Sequence, residues 1–205
     1  VFVLSAFFML LAFFVFKATR IKDGNISKKK DVNFFKNFKD FFSNKERVLC
    51  YALGGGITMW QTLIYLFMPL FIIREGFGSF FVGVFLFLIS VPLILFEYPF
   101  AKLAGKKGFK KIFIFGYLII ALVSFICFFV SDVYLLSFLF VVASVGIAMI
   151  EPTREAYFFD ITKGDEEYRF YGPFNTAIDL NGFVARVLAS ISLIFLPFKF
   201  LFILF

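Results

Sequence analysis

The sequence predicts an all-α membrane protein, a polytopic bundle of about six transmembrane helices, and three observations support this fold class. Hydrophobic residues occupy 61% of the 205 positions, and 38 of them are Phe. A soluble domain of this length needs a larger polar fraction to cover its surface. Charged residues fall in short blocks between long apolar runs. The basic residues flank these runs, so the net charge of +7 does not indicate a nucleic-acid-binding surface.

The first predicted element, 1–16, is an apolar run of marginal length, because a helix needs roughly 20 residues to cross a bilayer. We interpret it as the end of a helix whose beginning precedes the sequence. The basic stretch 17–47 follows and contains ten Lys or Arg residues. A disordered linker is one interpretation of it. The other is an amphipathic helix on the cytoplasmic membrane surface, which five Phe at helical spacing predict: Phe34, Phe35, Phe38, Phe41 and Phe42.

Further apolar runs along the chain each predict a transmembrane helix. They occupy 48–73, 79–99, 112–131, 133–150 and 172–196. Residues 198–205 begin another span, within which the sequence ends. We therefore expect the chain to be a fragment of a longer protein.

The basic residues are distributed unequally between alternate loops. Eighteen of the 21 Lys and Arg lie in 17–47, 101–111 and 151–170, whereas the intervening loops contain only Arg74 and Lys199. Cytoplasmic loops of membrane proteins carry an excess of Lys and Arg. This pattern predicts a multi-pass protein of the cell (inner) membrane with the three basic loops in the cytoplasm.

A motif begins at the end of the 79–99 span. Residues 97–110 read Glu-Tyr-Pro-Phe-Ala-Lys-Leu-Ala-Gly-Lys-Lys-Gly-Phe-Lys. This resembles the loop signature of the major facilitator superfamily of transporters, roughly Glu-x-Pro-x-Gly-x-x-Ala-Asp-Arg-x-Gly-Arg-Lys. The matching residues are Glu97, Pro99, Ala104, Gly108 and Lys110, and Lys106 keeps the charge of the family's Arg. The sequence departs from the signature at Ala101, Phe109 and Gly105, the last being where the family has an acidic residue of a charge network.

A second stretch carries the same resemblance. Residues 151–160, Glu-Pro-Thr-Arg-Glu-Ala-Tyr-Phe-Phe-Asp, resemble the family's fourth or tenth helix where it leaves the membrane. The resemblance implies one six-helix half of a twelve-helix facilitator, in which inverted three-helix repeats surround a midplane site. The chain would then contain the end of the last N-terminal-half helix (1–16), the loop between the halves (17–47), and the C-terminal bundle with a truncated last helix (48–205).

Polar and charged side chains inside apolar spans are costly and mark candidate sites. Trp60, Gln61 and Tyr65 stand in the middle of the 48–73 span, and Asp179 and Arg186 lie seven residues apart on one face of the 172–196 span. We predict that these five residues line a substrate cavity. Interhelical hydrogen bonds and structural ion pairs are the alternatives.

A second group of candidates lies near the predicted cytoplasmic ends of the spans. Glu151 is a candidate for proton coupling, because Pro152 follows it and favours a bend in the helix. From the resemblance, we predict a gating network in which Lys106 or Lys107 lies near the carboxylate of Glu97, Glu155 or Asp160. The complete set of coupling and gating candidates is Glu97, Lys106, Lys107, Gly108, Lys110, Glu151, Glu155 and Asp160.

The resemblance implies a secondary active transporter that moves a small solute by alternating access. The Glu-x-Pro-x-x-x-x-Ala pattern resembles that of the family's drug-exporter branches and favours efflux of amphipathic compounds, with sugar, nucleoside or lipid transport as alternatives. Exchange for protons is the coupling that the family resemblance implies by default. Expected partners are the solute, protons, the lipid bilayer and an N-terminal half, without nucleic acid, cofactor or metal. A non-transporting membrane scaffold is the alternative. An intramembrane enzyme is a weaker one, because a sequence without His lacks Ser–His dyads and His-based metal sites.

Overall fold

The computed structural model describes residues 2–19 and 33–205, except for the side chains of Phe2 and Asp165. The chain divides into two units, Val1–Asn33 and Phe34–Phe205. In the first unit, the helix α1 (Phe2–Ala18) has 17 residues and is apolar except for Ser5 and Lys17. Residues 20–32 of the predicted basic stretch lie outside the described residues.

The second unit is helical, and no strand occurs in either described part of the chain. A π-helical segment, Leu63–Phe67, joins the helix Lys45–Thr62 to the helix Met68–Arg74 without a break, and a 3₁₀ turn, Phe198–Phe200, precedes the helix Leu201–Leu204. The α-helices are α2 (Phe34–Phe42), α3 (Lys45–Thr62), α4 (Met68–Arg74), α5 (Ser79–Lys107), α6 (Phe109–Phe129), α7 (Val133–Ile161), α8 (Asp165–Phe195) and α9 (Leu201–Leu204).

Five helical stretches of this unit are long and apolar enough to cross a membrane, which confirms the predicted fold class. Each coincides with one of the five complete spans predicted for residues 48–196. They are Lys45–Arg74, Ser79–Lys107, Phe109–Phe129, Val133–Ile161 and Glu166–Phe195.

The helices extend beyond the predicted spans at their polar ends. Helix α5 continues past Pro99 to Lys107, so the predicted loop 101–111 reduces to a turn at Gly108, whose φ of +90° suits glycine. Helix α7 likewise continues through Pro152 to Ile161. Hydropathy marks where apolar residues stop, but Lys, Glu and Ala are strong helix formers, so the backbone remains helical after the apolar run ends.

Side-chain caps begin two of the spans. The Asn44 side chain accepts hydrogen bonds from the backbone N–H groups of Glu46 and Arg47, at 2.8 and 3.3 Å. The Asp132 carboxylate accepts one from the N–H of Leu135 at 2.7 Å. These bonds satisfy donors that have no partner within a helix. They explain why α3 and α7 begin where polar residues interrupt the apolar pattern.

Helix α7 is the centre of the bundle and packs against α3, α5 and α6, while α8 packs against α3. In the apolar 18-residue stretch of α7, 56% of the residues are buried, whereas the corresponding stretches of α5 and α8 have 17% of their residues buried. Helices α6 and α7 approach closely where Gly116 faces Gly146. A Cβ placed on Gly146 would lie 2.7 Å from the Gly116 carbonyl oxygen. The two glycines therefore permit contact between the helix backbones.

Helix α2 differs from the predicted surface helix in one respect, because its Phe side chains do not share one environment. Phe41 is fully buried against α3 and α8, whereas Phe34 and Phe35 are 59% and 81% exposed. On its polar side, Arg169 Nε donates to Asn37 Oδ1 at 2.5 Å, and the same guanidinium pairs with Asp40. One end of α2 is thus docked on the bundle, and the other presents its aromatic rings outward.

Candidate functional site

A cleft of about 740 Å³, lined by polar and apolar residues, lies between α8 and the continuous helix that α3 forms with the segment Leu63–Phe67. It contains four of the five predicted cavity residues, namely Gln61, Tyr65, Asp179 and Arg186. Five residues that the sequence analysis did not select complete its lining: Thr58, Thr62, Leu66, Ile178 and Gly182.

The α3 side of the cleft is a polar stripe on an apolar helix. Thr58, Gln61, Thr62 and Tyr65 follow the spacing i, i+3, i+4, i+7, which places them on one helical face. Both threonine hydroxyls donate to carbonyl oxygens one turn earlier in their own helix, each at 2.9 Å. The spacing is visible in the sequence, so the two threonines could have been selected from it.

The α8 side carries two opposite charges around a glycine. Gly182 lies about one turn from Asp179 and one turn from Arg186, so the two charged residues are about two turns apart. Both charged side chains are exposed to the cleft. A Cβ on Gly182 would lie 3.8 Å from Arg186 Nη2 and 3.5 Å from Thr58 Cγ2. Among the residues that the structure describes, neither Asp179 nor Arg186 has an ion pair within 4.0 Å.

An acidic pair adjoins the cleft and connects it to α5 and α7. Gln61 Nε2 donates to Glu151 Oε2 at 3.1 Å. Glu97 and Glu151 lie within electrostatic range of each other and of Tyr65. Two of the predicted coupling residues are therefore neighbours of two of the predicted cavity residues, an association that sequence distance does not reveal. A carboxylate of α7 is therefore hydrogen-bonded to the wall of the cleft.

Trp60 lies on a different side of α3 and does not line this cleft. Its side chain is 1% exposed and stacks on Phe140, with ring centroids 5.3 Å apart. It borders a separate cavity of about 340 Å³ that also contacts Tyr117 and Ser124. Consecutive helical residues point about 100° apart, so Trp60 and Gln61 cannot share an environment. Trp60 belongs to the hydrophobic core of the bundle.

The basic end of α5 does not form the predicted ion pairs. Lys106, Lys107 and Lys110 are exposed around Gly108. Within the described ranges, the ion pairs are Arg169 with Asp40 and Arg47 with Glu166, the latter at 4.0 Å. Neither pair includes a Lys of α5 or α6, nor the predicted partners Glu97, Glu155 and Asp160. The contacts between charged residues at this end therefore join α2, α3 and α8 instead of α5 and α7.

Arg154, on α7, is a buried charge without a predicted role; it is 3% exposed and lies against α3 and α8. Its guanidinium lies 4.7 Å from the centroid of the Phe174 ring, and its Nε and Nη1 atoms have no hydrogen-bond partner among the described residues. It fits only because α3 has Gly54 opposite, where a Cβ would lie 2.4 Å from Arg154 Nη1. In the same way, Gly55 leaves space for the side chain of Asn181 on α8, and Gly56 leaves space for that of Tyr117 on α6. The three consecutive glycines, which are apparent in the sequence, therefore mark the place where polar side chains of other helices contact α3.

No group of three or more His, Cys, Asp or Glu residues is placed to hold a metal ion in the described part of the chain. In comparison with known proteins, a family model described as Major Facilitator Superfamily matches residues 79–205. The match spans α5 to α9 and includes Glu97, Glu151, Asp179 and Arg186. No curated protein and no solved structure matches the chain.

Proposed function

Because this chain belongs to the major facilitator superfamily of membrane transporters, we propose that it moves a small solute by alternating access and binds that solute in the cleft between α3 and α8. Its five apolar spans make it an integral, multi-pass membrane protein. The observation that carries the proposal is the convergence of Gln61, Tyr65, Asp179 and Arg186 on one cleft.

The cost of charge within a membrane supports this proposal. An Arg or Asp at mid-span costs at least about 2.5–3.5 kcal/mol on insertion scales unless it faces water or a partner. Asp179 and Arg186 face the cleft and have no described ion-pair partner. A scaffold that transports nothing would not require two such charges at an open cleft, so this placement favours transport over the scaffold alternative.

We also propose that the solute is amphipathic and is exported in exchange for protons. The cleft combines the charged residues with apolar surface from Leu66 and Ile178. Beside it, the Glu151 carboxylate accepts a hydrogen bond from Gln61, so a change in its protonation would act directly on a residue of the cleft wall. The signature residues Glu97 and Pro99 support the same assignment.

Replacement of Arg186 by alanine tests the proposal. A hydrogen bond to a charged group contributes about 1.5–3 kcal/mol, so Arg186→Ala should reduce solute flux at least about tenfold in vesicles containing the full-length protein. Arg74→Ala removes the same side chain from the end of α4, outside the cleft, and should leave flux unchanged. Full transport by Arg186→Ala, with normal insertion and folding, would contradict a binding role for the cleft.

The proposed domain division remains 1–16, 17–47 and 48–205, and the proposed orientation places Lys107 in the cytoplasm. Cysteine labelling in intact cells measures this orientation. Both natural cysteines are buried and can be replaced by serine. An impermeant thiol reagent added outside should then label Ser131→Cys, at the exposed corner between α6 and α7, but not Lys107→Cys. The reverse pattern would invert the orientation.

A further inference from the structure

Two opposite charges face the cleft between α3 and α8 without neutralising each other. Asp179 and Arg186 lie seven residues apart on α8, which corresponds to about 10 Å of helical rise. Among the described residues, neither has an ion-pair partner within 4.0 Å. The cleft therefore offers an anionic and a cationic binding group at the same time.

The Arg186 side chain brings these groups closer than the backbone spacing indicates. Its Nη2 atom lies 3.8 Å from the position that a Cβ on Gly182 would occupy, so the guanidinium folds back by one turn. This agrees with the usual direction of helical side chains, toward the N-terminus. Gly182 is three residues beyond Asp179, or about 4.5 Å of rise. The guanidinium therefore lies beside Gly182, about one turn from Asp179, and a gap of more than 4.0 Å remains between the two charged groups.

The neutral polar groups of the cleft contribute fewer free donors than their number indicates. The hydroxyls of Thr58 and Thr62 donate to backbone carbonyl oxygens, and the Gln61 amide donates to Glu151. The Tyr65 hydroxyl remains as a neutral donor facing the cleft. Asp179 and Arg186 are therefore the strongest partners that the cleft offers, and charge-assisted hydrogen bonds to them favour a solute that carries charge.

A solute with a single charge can pair with only one of the two charged residues, Asp179 or Arg186. An anion held by Arg186 would lie close to the Asp179 carboxylate, and a cation held by Asp179 would lie close to the guanidinium. Each would be repelled by the like charge across the gap. A solute that carries both signs, separated by a few ångströms, is attracted at both ends. The apolar surface of Leu66 and Ile178 is available for the remainder of such a molecule.

We propose that the solute of this cleft is a small zwitterion with an apolar body, bound with its ammonium group at Asp179 and its carboxylate at Arg186. This inference rests on the proposed transport function and specifies the class of solute. It requires both charges of α8, and it predicts that each charge selects one end of the solute.

Matched ligand sets and single substitutions test the proposal on the purified full-length protein. The probes are L-leucine, L-methionine and L-phenylalanine, each compared with the carboxylic acid that lacks its amino group and the amine that lacks its carboxylate. Binding is measured through thermal stabilisation over a concentration series. We expect at least one amino acid to bind tenfold more tightly than both of its counterparts.

The two substitutions should change selectivity in opposite directions. Asp179→Asn removes the charge that repels an anion, so it should lose the preference for the amino acid and bind the acid counterpart more tightly than the unmodified protein does. Arg186→Gln should instead gain affinity for the amine. A gain in affinity cannot result from misfolding. Glu75→Gln and Arg74→Gln make the same chemical changes outside the cleft and should leave selectivity unchanged.

Solute-dependent proton flux in proteoliposomes separates this inference from the proposed function. The flux panel contains the same compounds, glucose, and ethidium as an amphipathic cation. Flux with ethidium or glucose but with no amino acid would overturn the zwitterion assignment and leave transport standing. The same holds if Asp179→Asn and Arg186→Gln each lose affinity equally for all ligands. If no compound in the panel produces flux or binds, both proposals are contradicted.

Discussion

Replacing Glu151 with glutamine should abolish proton-driven transport while leaving downhill exchange of the solute intact. The Glu151 carboxylate accepts a hydrogen bond from Gln61 Nε2, and the carbonyl oxygen of a glutamine can accept the same bond. The contact with the cleft wall is therefore preserved, but the group can no longer gain or lose a proton. Because loss of a proton-transfer group typically costs at least about a hundredfold in rate, we expect a loss of that size in transport driven by a pH gradient.

The measurement compares two assays in proteoliposomes containing the full-length protein. One records solute movement driven by an imposed pH gradient, and the other records exchange of labelled for unlabelled solute without a gradient. Glu75→Gln, at the end of α4 and away from the cleft, makes the same change and should leave both assays unaffected. Gradient-driven transport at the normal rate in Glu151→Gln would assign proton coupling to another residue.

Replacing Gly146 with alanine should strongly destabilise the contact between α6 and α7. The added Cβ would lie 2.7 Å from the Gly116 carbonyl oxygen and 2.9 Å from Ile120 Cγ1. A backbone carbonyl cannot move aside as a flexible side chain can, so the two helices must separate. Overpacking of a close contact costs about 1–3 kcal/mol, and we expect a value near the upper end because the backbone itself is obstructed. Thermal unfolding in detergent measures the loss.

A matched substitution in α5 provides the control. Gly83 lies within α5, and a Cβ there would meet no atom within 4 Å. Since alanine favours a helix over glycine by roughly 0.5–1 kcal/mol, Gly83→Ala should be neutral or slightly stabilising. Equal melting temperatures for Gly83→Ala and Gly146→Ala would mean that the close approach of α6 and α7 is not needed for stability.

The general architecture was predictable because it depends on composition along the chain. A run of about 20 apolar residues cannot be exposed to water and must be helical in a bilayer, whatever its neighbours are. The five long spans and the family therefore follow from hydropathy and from the signature around Glu97 and Gly108, and the comparison with residues 79–205 confirmed the family. Selection of polar residues within spans also depends only on sequence, and it identified Gln61, Asp179 and Arg186.

Which helical faces meet is decided by the tertiary structure. Trp60 and Gln61 are equally central in their span, yet one is buried against Phe140 and the other borders the cleft. Hydropathy does not distinguish the faces of α3, because lipid and protein interior are both apolar. The same limit concealed the burial of Arg154 opposite Gly54.

Sequence by itself therefore determined the number and position of the long spans, the family, and the polar residues that need an explanation within them. The tertiary structure alone decided that Glu151, 90 residues from Gln61, is its hydrogen-bond partner, and that Trp60 lies outside the cleft that Tyr65 shares with Asp179 and Arg186. The physical reason is that a segment in a membrane forms a helix because its backbone N–H and C=O groups must hydrogen-bond to each other within that segment. Assembly of helices depends instead on steric fit at particular small residues, such as Gly116 and Gly146, which arise from distant parts of the chain.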